Sequence, residues 1–227
     1  MRIGGVNVLA ELIDLVLPSS CVSCERAGPT WCGSCRPVSQ PGPVATAHGP
    51  PTFAAAEYAG ELRGALLAYK ERSLRALAGP LAGYLSDAVD VACRAGPTGP
   101  SKPLLVPVPS SRAASRKRGG DHLRRIARLA ALEAALGLAP VLRLAGPVRD
   151  SAGLSIEQRS ANLSHRMAAL QAPLPTAASV VIVDDIVTTG ATLAEAQRAL
   201  RQAGWQVQAA AVIAATRRRW PAGDSTD

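Results

Sequence analysis

The stretch Ser179–Leu193, SVVIVDDIVTTGATL, decides the fold. Val180 to Val183 form a continuous β-branched run, the pattern of a strand buried on both faces of a parallel sheet. Asp184 and Asp185 follow at its carboxyl end, where open α/β sheets bind their ligands. Ionised carboxylates only accept hydrogen bonds, so the pair suits two vicinal sugar hydroxyls or a hydrated Mg²⁺. Thr188, Thr189 and Thr192 add hydroxyl donors, and Gly190 lets the backbone take a positive φ or approach an anion closely. The helix expected from Thr192 to Gln202, stopped at Gly204, turns its positive end toward the same place. Carboxylates repel phosphate, so both halves within a few residues imply one ligand with hydroxyls at one end and a phosphate at the other.

Outward from this stretch, strands alternate with helices. Strands are expected near 53–58, 104–108, 141–144 and 207–213, and helices near 61–69, 76–94 and 121–136. That alternation predicts an α/β fold built on a doubly wound parallel sheet. Pro37, Pro41, Pro43, Pro50 and Pro51 make the stretch 37–52 read as a linker, and Ala95–Pro103 as a second break. The expected organisation is an N-terminal helix, cysteine knuckle and linker over 1–52, then a main domain over 53–217. Its helical part is 53–100 and its core 101–217, with a disordered tail over 218–227.

Cys21, Cys24, Cys32 and Cys35 form the pattern C-x₂-C-x₇-C-x₂-C. Two such knuckles joined by a short turn can place four thiolates around Zn²⁺ in a closed, structural site. Four cysteines also serve iron–sulfur clusters, and spacing alone does not separate the two. A disulfide pair would require an oxidising compartment. Cys93 falls in an expected helix, as a small buried hydrophobe.

Net charge is +8, from 25 basic and 17 acidic residues, which favours anionic partners such as nucleotides or nucleic acid. Aromatics are only 3%, so the core must be built from Ala, Val, Leu and Ile, and the basic clusters carry no interleaved rings for stacking bases. The first residues do not read as a secretory signal, because Glu11 and Asp14 interrupt the apolar run. Val6, Leu9, Ile13, Val16 and Leu17 instead line one helical face ending at Pro18. No apolar run is long enough to span a membrane, and a cytoplasmic protein is expected.

Three further segments are candidates. Arg112, Arg116, Lys117 and Arg118 cluster between a strand and a helix, a natural place to hold a pyrophosphate. Residues 150–163 are polar and read either as a mobile hood over a substrate, carrying Arg159, or as an ordinary surface helix, since Ser155 and Gln158 form a capping box that would space Arg159 and Asn162 as i and i+3. Lys70, in a Lys-Glu-Arg turn at the end of an apolar helix, is the weakest of the three.

The string VVIVDDIVTTGATL resembles the phosphoribosyl-pyrophosphate (PRPP) motif of type I phosphoribosyltransferases. The resemblance implies that Asp184 and Asp185 hold the ribose hydroxyls, that Thr188, Thr189, Gly190, Ala191 and Thr192 wrap the 5′-phosphate, and that Mg²⁺ accompanies PRPP. The order of segments over about residues 15–217 resembles, more narrowly, the ComF family, the amidophosphoribosyltransferase-like competence proteins. It runs from Leu17-Pro18 and the four cysteines through Tyr58, Leu62-Arg63 and Tyr69-Lys70 to Val106-Pro107-Val108-Pro109. It continues with Arg116-Lys117-Arg118-Gly119, then Leu154, Gln158-Arg159 and Asn162, and ends in the PRPP string. This resemblance implies a link to the uptake of single-stranded DNA, through DNA itself or a partner motor protein. The chain departs from the family where Gly120-Asp121-His122 replaces Phe-Asn-Gln, and again at Asp150-Ser151-Ala152-Gly153. Those losses bear on turnover more than on ribose-phosphate binding.

Overall fold

A computed structural model describes residues 20–96, 102–110, 120–144, 167–171 and 179–216. In chain order the described elements are β1 (Gly42–Val44), β2 (Thr52–Glu57), α1 (Gly60–Glu71), α2 (Ala78–Ala95), β3 (Leu104–Pro107), α3 (His122–Glu133), β4 (Gly137–Leu138), β5 (Leu142–Leu144), β6 (Met167–Ala169), β7 (Ser179–Val187), α4 (Ala191–Gln202) and β8 (Gln206–Ala215). Six strands form one sheet in the order β1-β2-β8-β7-β3-β4. All neighbours in it run parallel except β1, which lies antiparallel to β2 at the edge.

Composition explains the packing. Val180–Val183 and Ala209–Ala215 are essentially without solvent contact, as central strands covered on both faces must be. The alanines of β8 let helices approach the sheet closely, so a core with few aromatic rings still fills its space. Leu62, Leu66, Leu81, Leu85 and Ile126 from α1, α2 and α3 join one buried cluster with Phe53, Val181 and Val183. Leu193, Ala196, Ala199 and Leu200 of α4 join another with Val180, Ile182 and Trp205. Helices therefore cover both faces, and the α/β class with a mostly parallel central sheet is observed.

The strand expected over 141–144 forms, but not in this sheet. β4 takes the edge beside β3, and Pro140 follows it; β5 instead pairs antiparallel with β6, Leu144 opposite Met167, as a separate ribbon. Leu142 and Met167 of that ribbon pack into the α4 cluster. The helix expected to reach 136 ends at Glu133, because Ala135 adopts a left-handed φ of 52° and Leu136 N–H closes on the Ala131 carbonyl. Gly42–Val44, inside the proline-rich stretch, adds an edge strand to the sheet. The expected N-terminal helix and C-terminal tail lie outside the described residues. Among the described residues no helix is long and apolar enough to cross a membrane.

Chain direction places the site. From β3 the chain moves to β4 on one side, whereas β7 sits on the other side of β3 and leads outward to β8. Helix α3, after β3, and helix α4, after β7, lie on opposite faces. The carboxyl ends of β3 and β7 thus border a topological switch point, the crevice in which open α/β sheets bind ligands.

Candidate functional site: an acid pair at the switch point

β7 carries Asp184 and Asp185 into that crevice, with the strand continuing past them to Val187. Asp184 Oδ1 accepts the backbone N–H of Asp185 at 2.8 Å. Burial pushes the Asp184 carboxyl up to about 7; the Asp185 charge pushes the same way, while the Asp185 N–H and Lys70 pull it back. Asp185 Oδ2 meets Lys70 Nζ at 2.7 Å. Lys70 thus enters the site from the last turn of α1. Beside it, the Tyr69 hydroxyl donates to the His122 carbonyl at 3.0 Å, and the Tyr69 ring lies 4.8 Å from the His122 ring. Tyr69 therefore ties the end of α1 to the start of α3 and fixes where the Lys70 side chain begins. Burial pushes the Tyr69 phenol up to about 12, so it stays a neutral donor.

The turn after β7 meets two demands at Gly190. Its φ of 87° is left-handed, and a Cβ there would lie 2.9 Å from Thr46 Cβ and 3.1 Å from the His48 carbonyl oxygen. Only glycine satisfies both without displacement. As the N-terminal flanking residue of α4 it offers no side-chain cap. Thr189 Oγ1 instead accepts the Ala191 N–H at 3.3 Å. Thr188 is exposed, while Ala191 and Thr192 are half-buried. Residues 46–49 pass directly over this turn, with a Gly49 Cβ falling 3.2 Å from the Ala194 nitrogen. The stretch read as a linker is therefore a wall of the site.

Arg112, Arg116, Lys117 and Arg118 lie outside the described residues, as does Arg159. The flanks of the first group are fixed: Ser110 Oγ donates to Asp121 Oδ1 at 3.3 Å, and Asp121 caps α3 by accepting the Arg124 N–H at 3.2 Å. A carboxylate at this position satisfies the helix start as well as an amide would. The flanks of the second group are the paired strands β5 and β6. Glu195 of α4, almost fully buried, accepts the Met167 N–H at 2.9 Å, and Arg198 donates both to Glu195 and to the Met167 carbonyl. Trp205 Nε1 donates to the Leu170 carbonyl at 3.1 Å. The ribbon is thereby bolted to α4, the helix that begins just after the Gly190 turn.

The four cysteines converge. Their sulfurs all lie within 4.8 Å of one another, and Cys24 Sγ and Cys32 Sγ are 3.8 Å apart. A tetrahedral Zn²⁺ with Zn–S bonds of about 2.3 Å requires sulfurs about 3.8 Å apart, so the set fits a single zinc-like ion. A multi-iron cluster would spread its thiolates over separate irons. All five cysteines are free of disulfides. Backbone N–H groups of Cys32, Cys24 and Ser23 draw the Cys21 thiol down to about 6, whereas proton sharing with Cys32 and Cys24 holds Cys35 up to about 12. A divalent cation would relieve that crowding by binding all four as thiolates. Cys93, in α2, is half-buried against the core. Trp31 docks the knuckle on α2, stacked 5.9 Å from the Tyr84 ring, whose hydroxyl donates to the Pro37 carbonyl.

The family model of the phosphoribosyl transferase domain matches residues 139–227. No curated protein matches the chain. The matched span holds the β5–β6 ribbon, the acid pair, the Gly190 turn and α4, and it supports a PRPP-binding, transferase-like function. The mostly parallel sheet is consistent with the phosphoribosyltransferase fold. Knuckle, wall 46–49 and Lys70 all lie outside the match. Sequence reasoning gave 46–49 no role, because nothing in Thr46-Ala47-His48-Gly49 carries a period. The signal for Lys70 was only its place beside Tyr69 at a helix end.

Proposed function

We propose that this chain is a phosphoribosyltransferase-like protein of the ComF type that binds PRPP or a related ribose 5-phosphate with Mg²⁺ in the cytoplasm. What carries the reading is the acid pair at a switch point, followed directly by a glycine-led helix start. Asp184 and Asp185 accept the ribose hydroxyls, and the amides and hydroxyls of Thr188, Thr189, Gly190, Ala191 and Thr192 surround the 5′-phosphate. Arg112, Arg116, Lys117 and Arg118 face the pyrophosphate and Arg159 belongs to the covering segment. Turnover would displace pyrophosphate from C1 by a nitrogen nucleophile through an oxocarbenium-like state, with the protein supplying position and electrostatics. Calorimetric titration with PRPP and Mg²⁺ tests this. Asp184→Asn with Asp185→Asn should lose binding by about 100-fold or more while keeping its fold, the scale of two lost charge-assisted contacts. Unchanged affinity in the double variant would sink the assignment.

A second reading follows from the ComF resemblance: a non-enzymatic role in DNA uptake, binding single-stranded DNA or a motor protein. Arg124, Arg125 and Arg128 favour it, exposed on one face of α3. Binding of single-stranded DNA that weakens steeply between low and physiological salt would support this role; no binding at low salt would end it.

A further inference from the structure

Two adjacent carboxylates in a half-buried crevice suit two different guests, sugar hydroxyls or a divalent cation. We propose that Lys70 is the specificity residue that decides between them: its ammonium, 2.7 Å from Asp185 Oδ2, supplies the positive charge a divalent ion would bring and so reserves the pair for hydroxyls. This rests on the reading that the pair meets a ribose.

The bonding supports the choice. Asp184 Oδ1 is taken by the Asp185 N–H, and Asp185 Oδ2 by Lys70. Each carboxylate therefore commits one oxygen and keeps the other, and among the described residues nothing else donates to those two. Two remaining acceptors match two vicinal hydroxyl donors. A hard cation wants more carboxylate oxygen and no neighbouring ammonium. Lys70 is also held, not merely near. It is 19% exposed and Asp185 23%, and the Tyr69 bond to the His122 carbonyl fixes the helix turn from which it extends. Its charge reaches Asp184 as well as Asp185. An opposite charge this close changes the affinity of a carboxylate for a cation by about tenfold or more.

The test uses the full chain as purified, with any metal at the cysteines left in place, at pH 8.5, above the Asp184 titration. Mn²⁺ binding is followed by electron paramagnetic resonance, since this oxygen-seeking ion ignores the thiolates. Ribose 5-phosphate binding is followed separately with no divalent ion added. Lys70→Met and Lys70→Gln should both gain Mn²⁺ affinity by about tenfold or more and lose ribose 5-phosphate affinity without added divalent ion, while Lys70→Arg behaves as wild type. Circular dichroism identifies a variant that does not fold, and having two neutral replacements guards against that. Equal Mn²⁺ affinity in wild type and both neutral variants overturns the proposal, whatever the sugar phosphate does. A wild type that never binds ribose 5-phosphate or PRPP refutes instead the proposed function, and a Mn²⁺ gain in the variants then still supports exclusion of the cation by Lys70.

Discussion

Asp184 is held where ionisation is costly. Its carboxyl titrates at about 7, against 3.8 for an ordinary aspartate, chiefly because it is buried. Between those values the native chain holds a proton that the unfolded chain has released. Stability therefore falls as pH rises from about 4 to about 7, and the full penalty stands above that range. Asp184→Asn removes the charge and keeps the shape. The variant should be more stable than wild type at pH 8 by about 2 kcal/mol, roughly half of what the displacement alone implies at 1.36 kcal/mol per unit, since the amide also loses carboxylate bonds. At pH 4 the two should coincide. Urea unfolding at both pH values decides it, and a variant no more stable than wild type at pH 8 would mean that burial does not set the titration. A residue that weakens the fold yet sits at a switch point is what a binding function would retain.

At the scale of elements, what was legible depended on whether local chemistry alone determines the outcome. β7 and α4 were, because four β-branched residues, two acids and a glycine turn leave one arrangement. β1 was not. Pro41 and Pro43 argue against a strand, and β1 accommodates Pro43 because it lies at the sheet edge. The β5–β6 ribbon was half legible: residues 142–144 form the strand, but its partner lies far along the chain, with Leu144 opposite Met167 and Leu142 opposite Ala169. Nothing local in Met167-Ala168-Ala169 names it. The bond that secures it, Glu195 to the Met167 N–H, joins residues 28 apart and hides its purpose on an amphipathic helix. Lys70 shows the same limit. A lysine ending a helix reads as solvated unless the strand end it reaches is known, and that end belongs to β7, placed by its pairing with β3 and β8. Gly190 was legible for its φ but not for the second demand on it, the contact with Thr46 and His48, which exists only once the proline-rich stretch folds back.

Across the whole molecule, knuckle and site are joined through one continuous path. Cys35 leads to Gln40, whose N–H bonds the Ala55 carbonyl at 2.9 Å, then to β1, then to the wall over Gly190. Two attachments hold this path independently. The knuckle depends on its four sulfurs and on Trp31 against Tyr84. β1 and the wall depend on the register with β2, in which Gly42, Pro43 and Val44 face Ala54, Phe53 and Thr52. Losing the metal should consequently melt the first and spare the second. Cys21→Ser with Cys24→Ser is expected to release about one zinc ion per chain, because the metal's binding energy is folding energy for so small a unit. Proteolysis should then cut within residues 20–36, and the Trp31–Tyr84 stacking signal in the near-ultraviolet should disappear. The main unfolding transition should shift by only a few degrees, as expected when about 1–2 kcal/mol is lost from a domain of this size. PRPP affinity should stay within about threefold, a change below 1 kcal/mol. Elemental analysis, limited proteolysis and calorimetry on the same preparation check each step. If affinity collapses with the metal, the β1 register is not an independent anchor, and the cysteine knuckle supports the Gly190 turn directly.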